Sequence, residues 1–231
     1  MSVNKIMTYV LGGLALIIII LLLIPVAPRE GQRSGPKIIV FGDSLVSEYE
    51  LPKGTGFTAK LQEAFDKHKI EVNLVGMGVP GDTTEGGLNR INNVISAKPK
   101  AVIIVLGAND MLRSIDPEIT KANLNDIINR FQENNIDVFL TGMMASPTYG
   151  TQYQTTFDRI FPDLAQEHQT GFYYFFLDGV AGEPSLNLPD GIHPNEQGIN
   201  EIVMRIFPAI NDFVSLIQAP PQEEVPQAEQ Q

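Results

Sequence analysis

Five short apolar segments, at residues 37–41, 71–75, 101–106, 137–143 and 172–176, alternate with stretches of helical period at 57–68, 84–96, 117–134, 153–168 and 196–217. Each apolar run is too short for a helix that stands alone and too continuous for a strand wetted on one face, so it reads as a strand covered on both sides. Parallel neighbours need a long crossover, and the helical stretches supply it. The expected fold is therefore α/β, a three-layer α/β/α sandwich around a five-stranded parallel sheet. In such sheets ligands bind beyond the carboxyl ends of the strands, which directs attention to the residues just after each run.

This alternating body spans residues 37–218, and the remainder of the 231-residue chain has a different character. Residues 6–28 carry no charge. About 20 apolar residues suffice to cross a hydrocarbon core of roughly 30 Å, whereas the apolar region of a cleaved signal is usually about 7 to 15 residues. Prolines at Pro25 and Pro28 also sit where cleavage is disfavoured. Residues 1–28 are thus expected to be an uncleaved, single-pass anchor, joined by a Gly, Pro and polar linker at 29–36. A literal count of Lys5 against Arg29, Arg33 and Lys37 would keep the domain inside, but the very short amino-terminal tail favours export. The expected location is the cytoplasmic membrane with the catalytic domain on its periplasmic side. Residues 219–231, rich in Pro, Gln and Glu, cannot build a core and are expected to be disordered.

A formal net charge of -11 argues against a nucleic-acid partner, because phosphate binding requires clustered Lys and Arg. The absence of cysteine excludes a thiol nucleophile, a disulfide framework and any Cys-containing zinc site. Nothing in the sequence fixes an oligomeric state, and a monomer is assumed.

Directly after the first apolar run stands Gly42-Asp43-Ser44-Leu45. Ser44 is placed at the strand end for a nucleophile, or equally for capping the next helix or lining a phosphate loop. The Gly-x-Ser-x-Gly elbow is absent, since Val46 occupies the place of its second glycine. A hydroxyl nucleophile needs a base, and only three histidines exist, of which His68 and His168 lie among polar residues near helix ends. His193 differs: it lies in Pro189-Asp190-Gly191-Ile192-His193-Pro194, where Asp190, three residues earlier, can orient the imidazole and stabilise its cation. Negative charge on a substrate carbonyl needs aimed donors. Gly78 after the second run and Asn109 after the third offer a backbone N–H and a side-chain amide.

In their order along the chain, Gly-Asp-Ser-Leu, Gly78, Gly107-Ala108-Asn109-Asp110 and Asp-Gly-Ile-His-Pro resemble the blocks of the SGNH (GDSL) hydrolase superfamily. The four residues of its name would fall on Ser44, Gly78, Asn109 and His193. Gly81-Asp82-Thr83-Thr84, the Tyr149-Gly150 pair and Phe175-Phe176 bring the chain nearest to the bacterial thioesterase I, protease I and lysophospholipase L1 group, also called arylesterases. Ala108 replaces a glycine often found in the third block. The resemblance implies a flavodoxin-like SGNH hydrolase fold and a serine esterase. Ser44, Asp190 and His193 would be catalytic, and the N–H groups of Ser44 and Gly78 with the Asn109 amide would form the oxyanion hole. The substrates implied are small acyl esters, acyl thioesters, aryl esters or lysophospholipids, and neither a metal nor an organic cofactor is needed. Asp43, Met111, Met144, Tyr149 and Ile192 are the expected substrate contacts. Three other readings stay open: a carbohydrate O-acetyl esterase of the cell envelope, an inactive membrane-tethered scaffold, and a flavin-binding or receiver domain.

Overall fold

The structure is a computed structural model and describes residues 33–219. The expected anchor at 1–28, the first half of the linker and the tail beyond Ala219 lie outside the described residues. Among the described residues no helix is long and apolar enough to cross a membrane.

Five strands, β1 (Lys37–Gly42), β2 (Asn73–Gly78), β3 (Ala101–Val105), β4 (Asp137–Thr141) and β5 (Gly171–Tyr173), form one sheet in the order β2-β1-β3-β4-β5. Every pairing is parallel. Residues Ile38 to Phe41 of β1 and all of β3 are inaccessible to solvent, as expected where helices cover both faces of a sheet. On one face α1 (Phe57–Lys67) packs against α6 (Glu196–Gln218). On the other, α4 (Pro117–Glu133) lies between α2 (Thr84–Ser96) and α5 (Thr151–His168). The chain runs outward from β1 to β2 and then back to β3, so the topological switch point, where ligands bind in such sheets, falls between the carboxyl ends of β1 and β3.

Side chains set where these helices start. Thr83 accepts from Gly86 N, Asp116 accepts from Glu118 N ahead of Pro117, and Asn195 accepts from both Gln197 N and Gly198 N. Each satisfies amide donors that an α-helix leaves unpaired in its first turn.

The structure shifts the expected boundaries most at β2 and β5, and it ends β4 at Thr141 rather than at 143. β2 lies further along than 71–75, because Val72 and Leu74 are buried on one side while the register with β1 continues to Gly78 opposite Gly42. β5 is shorter than 172–176: it stops at Tyr173, and Phe176 turns back to donate its N–H to the Gly142 carbonyl. Phe176 is buried against the Phe57 ring, so its apolar character reports packing rather than strand.

Candidate active site

β1 delivers Ser44 to the switch point on a tight turn. The Asp43 carbonyl accepts from the N–H groups of Val46 and Ser47, and the Asp43 carboxylate accepts from Leu45 N. Gly78 ends β2 directly beneath this turn. A Cβ there would lie 2.5 Å from Ser47 N and 2.6 Å from the Asp43 carbonyl oxygen, closer than any side chain permits. The Val79 N–H pairs with the Gly42 carbonyl. Successive amides of a strand point in opposite directions, so the Gly78 N–H is left outside the ladder to β1.

Beyond β3, Gly107 has φ of 113°, a conformation that favours glycine, and caps a short helix, α3 (Ala108–Leu112), whose first turn carries Asn109. The helical periods read from sequence do not include α3. Asn109 Nδ2 donates to Asp43 Oδ2 at 3.0 Å. An amide nitrogen has two hydrogens, and this bond occupies one of them.

His193 arrives from the far end of the chain, in the turn before α6. Gly191 has φ of 68°, and the turn is closed by a bond from Leu188 N to the His193 carbonyl and by an antiparallel bridge between Asn187 and Pro194. Asp190 Oδ1 accepts from the backbone amides of Ile192 and His193, while Oδ2 meets His193 Nδ1 at 2.6 Å. On the other side of the ring, Nε2 lies 2.9 Å from Ser44 Oγ. The three side chains form a continuous relay across 149 residues of sequence separation. With Nδ1 carrying its proton toward the carboxylate, Nε2 presents a lone pair to the serine hydroxyl.

The two carboxylates differ electrically. Partial burial pushes Asp190 upward, but its bonds from the His193 ring and from the His193 and Ile192 amides outweigh this and hold it at about 2. Complete burial pushes Asp43 up to about 6, against the opposing pull of the Leu45 amide, Asn109 and the nearby His193.

The remaining expected contacts divide. Met111 sits in α3, two residues past Asn109, and packs partly against the core. Met144 is half-buried after β4, and Tyr149 ends a short 3₁₀ helix with its ring 5.6 Å from that of Tyr153. Ile192 is exposed beside His193. Asp43 is a correction: with no accessible surface it cannot touch substrate, and its carboxylate is committed to Leu45 and Asn109. Tyr49 was not singled out from sequence, yet its ring centroid lies 4.6 Å from that of His193. Only its position five residues beyond Ser44, on the same turn, was available as a signal.

A hydroxyl joined through imidazole to a carboxylate, at the switch point of a parallel sheet, defines a serine hydrolase. The chain belongs to the GDSL-like lipase/acylhydrolase family, whose model matches residues 40–199, and it is accordingly an ester-hydrolysing enzyme. It is 32% identical to an arylesterase of Vibrio mimicus, over 72% of this chain and 84% of that protein. It is 31% identical to the thioesterase 1/protease 1/lysophospholipase L1 of Escherichia coli K12, over 68% of this chain and 75% of the relative. The crystal structure of TesA superposes with a TM-score of 0.73 at 29% identity, covering 76% of this chain and 98% of TesA.

Proposed function

We propose that this esterase acts through an acyl-enzyme on Ser44 and accepts carboxylic esters, acyl thioesters and lysophospholipids. The observation that carries the mechanism is the relay from Asp190 through His193 to Ser44 Oγ, with contacts of 2.6 and 2.9 Å. Ser44 Oγ attacks the substrate carbonyl carbon while its proton passes to His193 Nε2, and Asp190 stabilises the imidazolium. The oxyanion of the tetrahedral intermediate takes hydrogen bonds from the Ser44 and Gly78 amides and from the second N–H of Asn109. Collapse breaks the bond to the alcohol or thiol, which leaves with the Nε2 proton. Water, activated by the same nitrogen, then attacks the acyl group and releases the acid and free Ser44.

The substrate classes rest on the activities named for the Vibrio mimicus and Escherichia coli relatives. The apolar stretch at 6–28 supports an anchor, and the very short amino-terminal tail before it favours a domain held outside the cytoplasmic membrane, a placement that carbonate extraction and protease accessibility in spheroplasts would test.

The deciding experiment measures hydrolysis of p-nitrophenyl esters from acetate to dodecanoate, of acyl-CoA and of lysophosphatidylcholine by the full chain, Ser44→Ala and His193→Ala. Turnover should vanish in both variants, and a fluorophosphonate should label Ser44 in the parent. Activity that survives Ser44→Ala overturns the mechanism. Release of acetate alone, and only from acetylated polysaccharide, moves the substrate class to carbohydrate esters.

A further inference from the structure

The segment Gly81-Asp82-Thr83-Thr84 has no part in the relay, and its acidic residue leads to an arginine at the rim of the site. Asp82 Oδ2 receives Arg90 Nε at 2.6 Å, and both side chains are largely buried, at 15% and 18% exposure. Held in this way, the Arg90 guanidinium donates from Nη2 to the Gly42 carbonyl at 2.7 Å and from Nη1 to the Met77 carbonyl at 3.0 Å. Its carbon lies 4.3 Å from the centroid of the Phe41 ring, which fixes the plane of the fork.

Those two carbonyls belong to the last rung between β1 and β2, where Gly42 stands opposite Gly78. The Met77 carbonyl and the Gly78 N–H share one rigid, trans peptide plane and point in opposite directions. Fixing the carbonyl therefore fixes the direction of the N–H. The Gly42 carbonyl lies in the peptide that leads into Asp43 and Ser44, so the same guanidinium also sets the approach of the nucleophile turn. The bond from Val79 N to the Gly42 carbonyl closes this rung, and the guanidinium adds a side-chain donor to each of its two carbonyls where both strands end in glycine.

We propose that Arg90, oriented by Asp82, is a positioning residue for the oxyanion hole: it locks the Met77–Gly78 peptide so that the Gly78 N–H faces the developing oxyanion. This rests on the assignment of Ser44 as nucleophile and Gly78 as donor. Arg90 touches no reacting atom, and its effect falls on the transition state more than on substrate binding. A lysine has no fork with which to reach both carbonyls and the Asp82 carboxylate.

The test uses the full chain as parent, Arg90→Ala, Arg90→Lys and Asp82→Asn, with steady-state hydrolysis of p-nitrophenyl butyrate and fluorophosphonate titration to count competent serines. Arg90→Ala should lower kcat per titrated serine by about 10- to 100-fold with KM within about twofold, since misplacing a group by about 1 Å costs up to 10²-fold and losing an oxyanion donor costs 10²- to 10³-fold. Arg90→Lys should stay low, Asp82→Asn should fall between Arg90→Ala and the parent, and ethylguanidine should restore part of kcat in Arg90→Ala but none in Asn109→Ala. An unchanged kcat per titrated serine in Arg90→Lys and Asp82→Asn, with only a lower melting temperature, overturns the inference, and these two variants carry the test if Arg90→Ala does not fold. An inactive, unlabelled parent would instead overturn the assignment of Ser44.

Discussion

Replacing Asp43 by asparagine should damage catalysis and leave stability intact or raised, although the two side chains have nearly the same shape. The buried carboxylate now accepts twice, from Leu45 N at 3.0 Å and from Asn109 Nδ2 at 3.0 Å. An asparagine can still accept from Leu45, but its own NH₂ then faces the NH₂ of Asn109. Two donors cannot share that contact, so Asn109 must flip its amide, which moves its nitrogen off the position proposed to serve the oxyanion. Loss of one such donor predicts a fall in kcat of about 10²- to 10³-fold at pH 8. Stability moves the other way. Burial raises the Asp43 carboxyl from 3.8 to about 6, so holding it ionised in the folded state costs on the order of 3 kcal/mol. Against this, exchanging charge-assisted for neutral hydrogen bonds forfeits about 1–2 kcal/mol. The variant should therefore unfold in urea at an equal or higher midpoint at pH 8. Because the folded form holds this proton more tightly, the parent should gain stability from Asp43 as pH falls through about 6, levelling below the ordinary 3.8, a change that Asp43→Asn should lack. Asp43→Asn combined with Asn109→Ala should be no slower than Asn109→Ala alone, because both act through one amide. A kcat for Asp43→Asn within threefold of the parent, at about that level of precision, would refute the coupling.

Three further outcomes follow from contacts elsewhere. Asp190→Ala should lower kcat by about 10³- to 10⁴-fold, as loss of the orienting acid does in other serine hydrolases. Since the Asp190 carboxyl is held at about 2, below its ordinary 3.8, the pair's contribution to stability should persist above pH 4 (~3.8) and be lost only as acid titration approaches about 2, which chemical denaturation across that range would record. Asp110→Ala should lower the unfolding free energy by about 2–4 kcal/mol, because buried Asp110 accepts from Thr84 N, Thr84 Oγ1 and Thr120 Oγ1, and urea melts would measure the loss. Tyr49→Ala removes a ring 4.6 Å from the imidazole and should slow kcat by about 3- to 10-fold, the equivalent of a 0.5–1.5 kcal/mol aromatic contact, whereas Tyr49→Phe should keep the parent rate.

Much of this site is legible from sequence because its parts are local. Ser44, Gly78 and Asn109 each follow a run of apolar residues, and Asp190 reaches His193 within one turn. What was not legible depends on pairings that the fold alone creates. Asp43, adjacent to Ser44, was expected to contact substrate, but neighbouring residues at a strand end point in opposite directions, and Asp43 turns into the interior toward a residue 66 positions away. Arg90 reaches back 48 residues to Gly42, which no periodicity of α2 announces. The end of β5 was misplaced for a related reason: apolar residues mark burial, and Phe175-Phe176 extend an apolar run past the last strand bond.

The site is thus built from two independently supported parts. Ser44, Gly78 and Asn109 stand at the ends of β1, β2 and β3, adjacent strands of one sheet, and their mutual placement is tied by Asp43 and by the guanidinium of Arg90. His193, the proposed base, belongs to a separate turn whose geometry is fixed by its own Asp190, its own antiparallel bridge and the cap of α6 at Asn195. The only side-chain hydrogen bond that joins the two parts among the described residues is the one between His193 Nε2 and Ser44 Oγ. Damage to the sheet part should therefore weaken oxyanion stabilisation while leaving proton transfer competent, whereas damage to the turn should do the reverse.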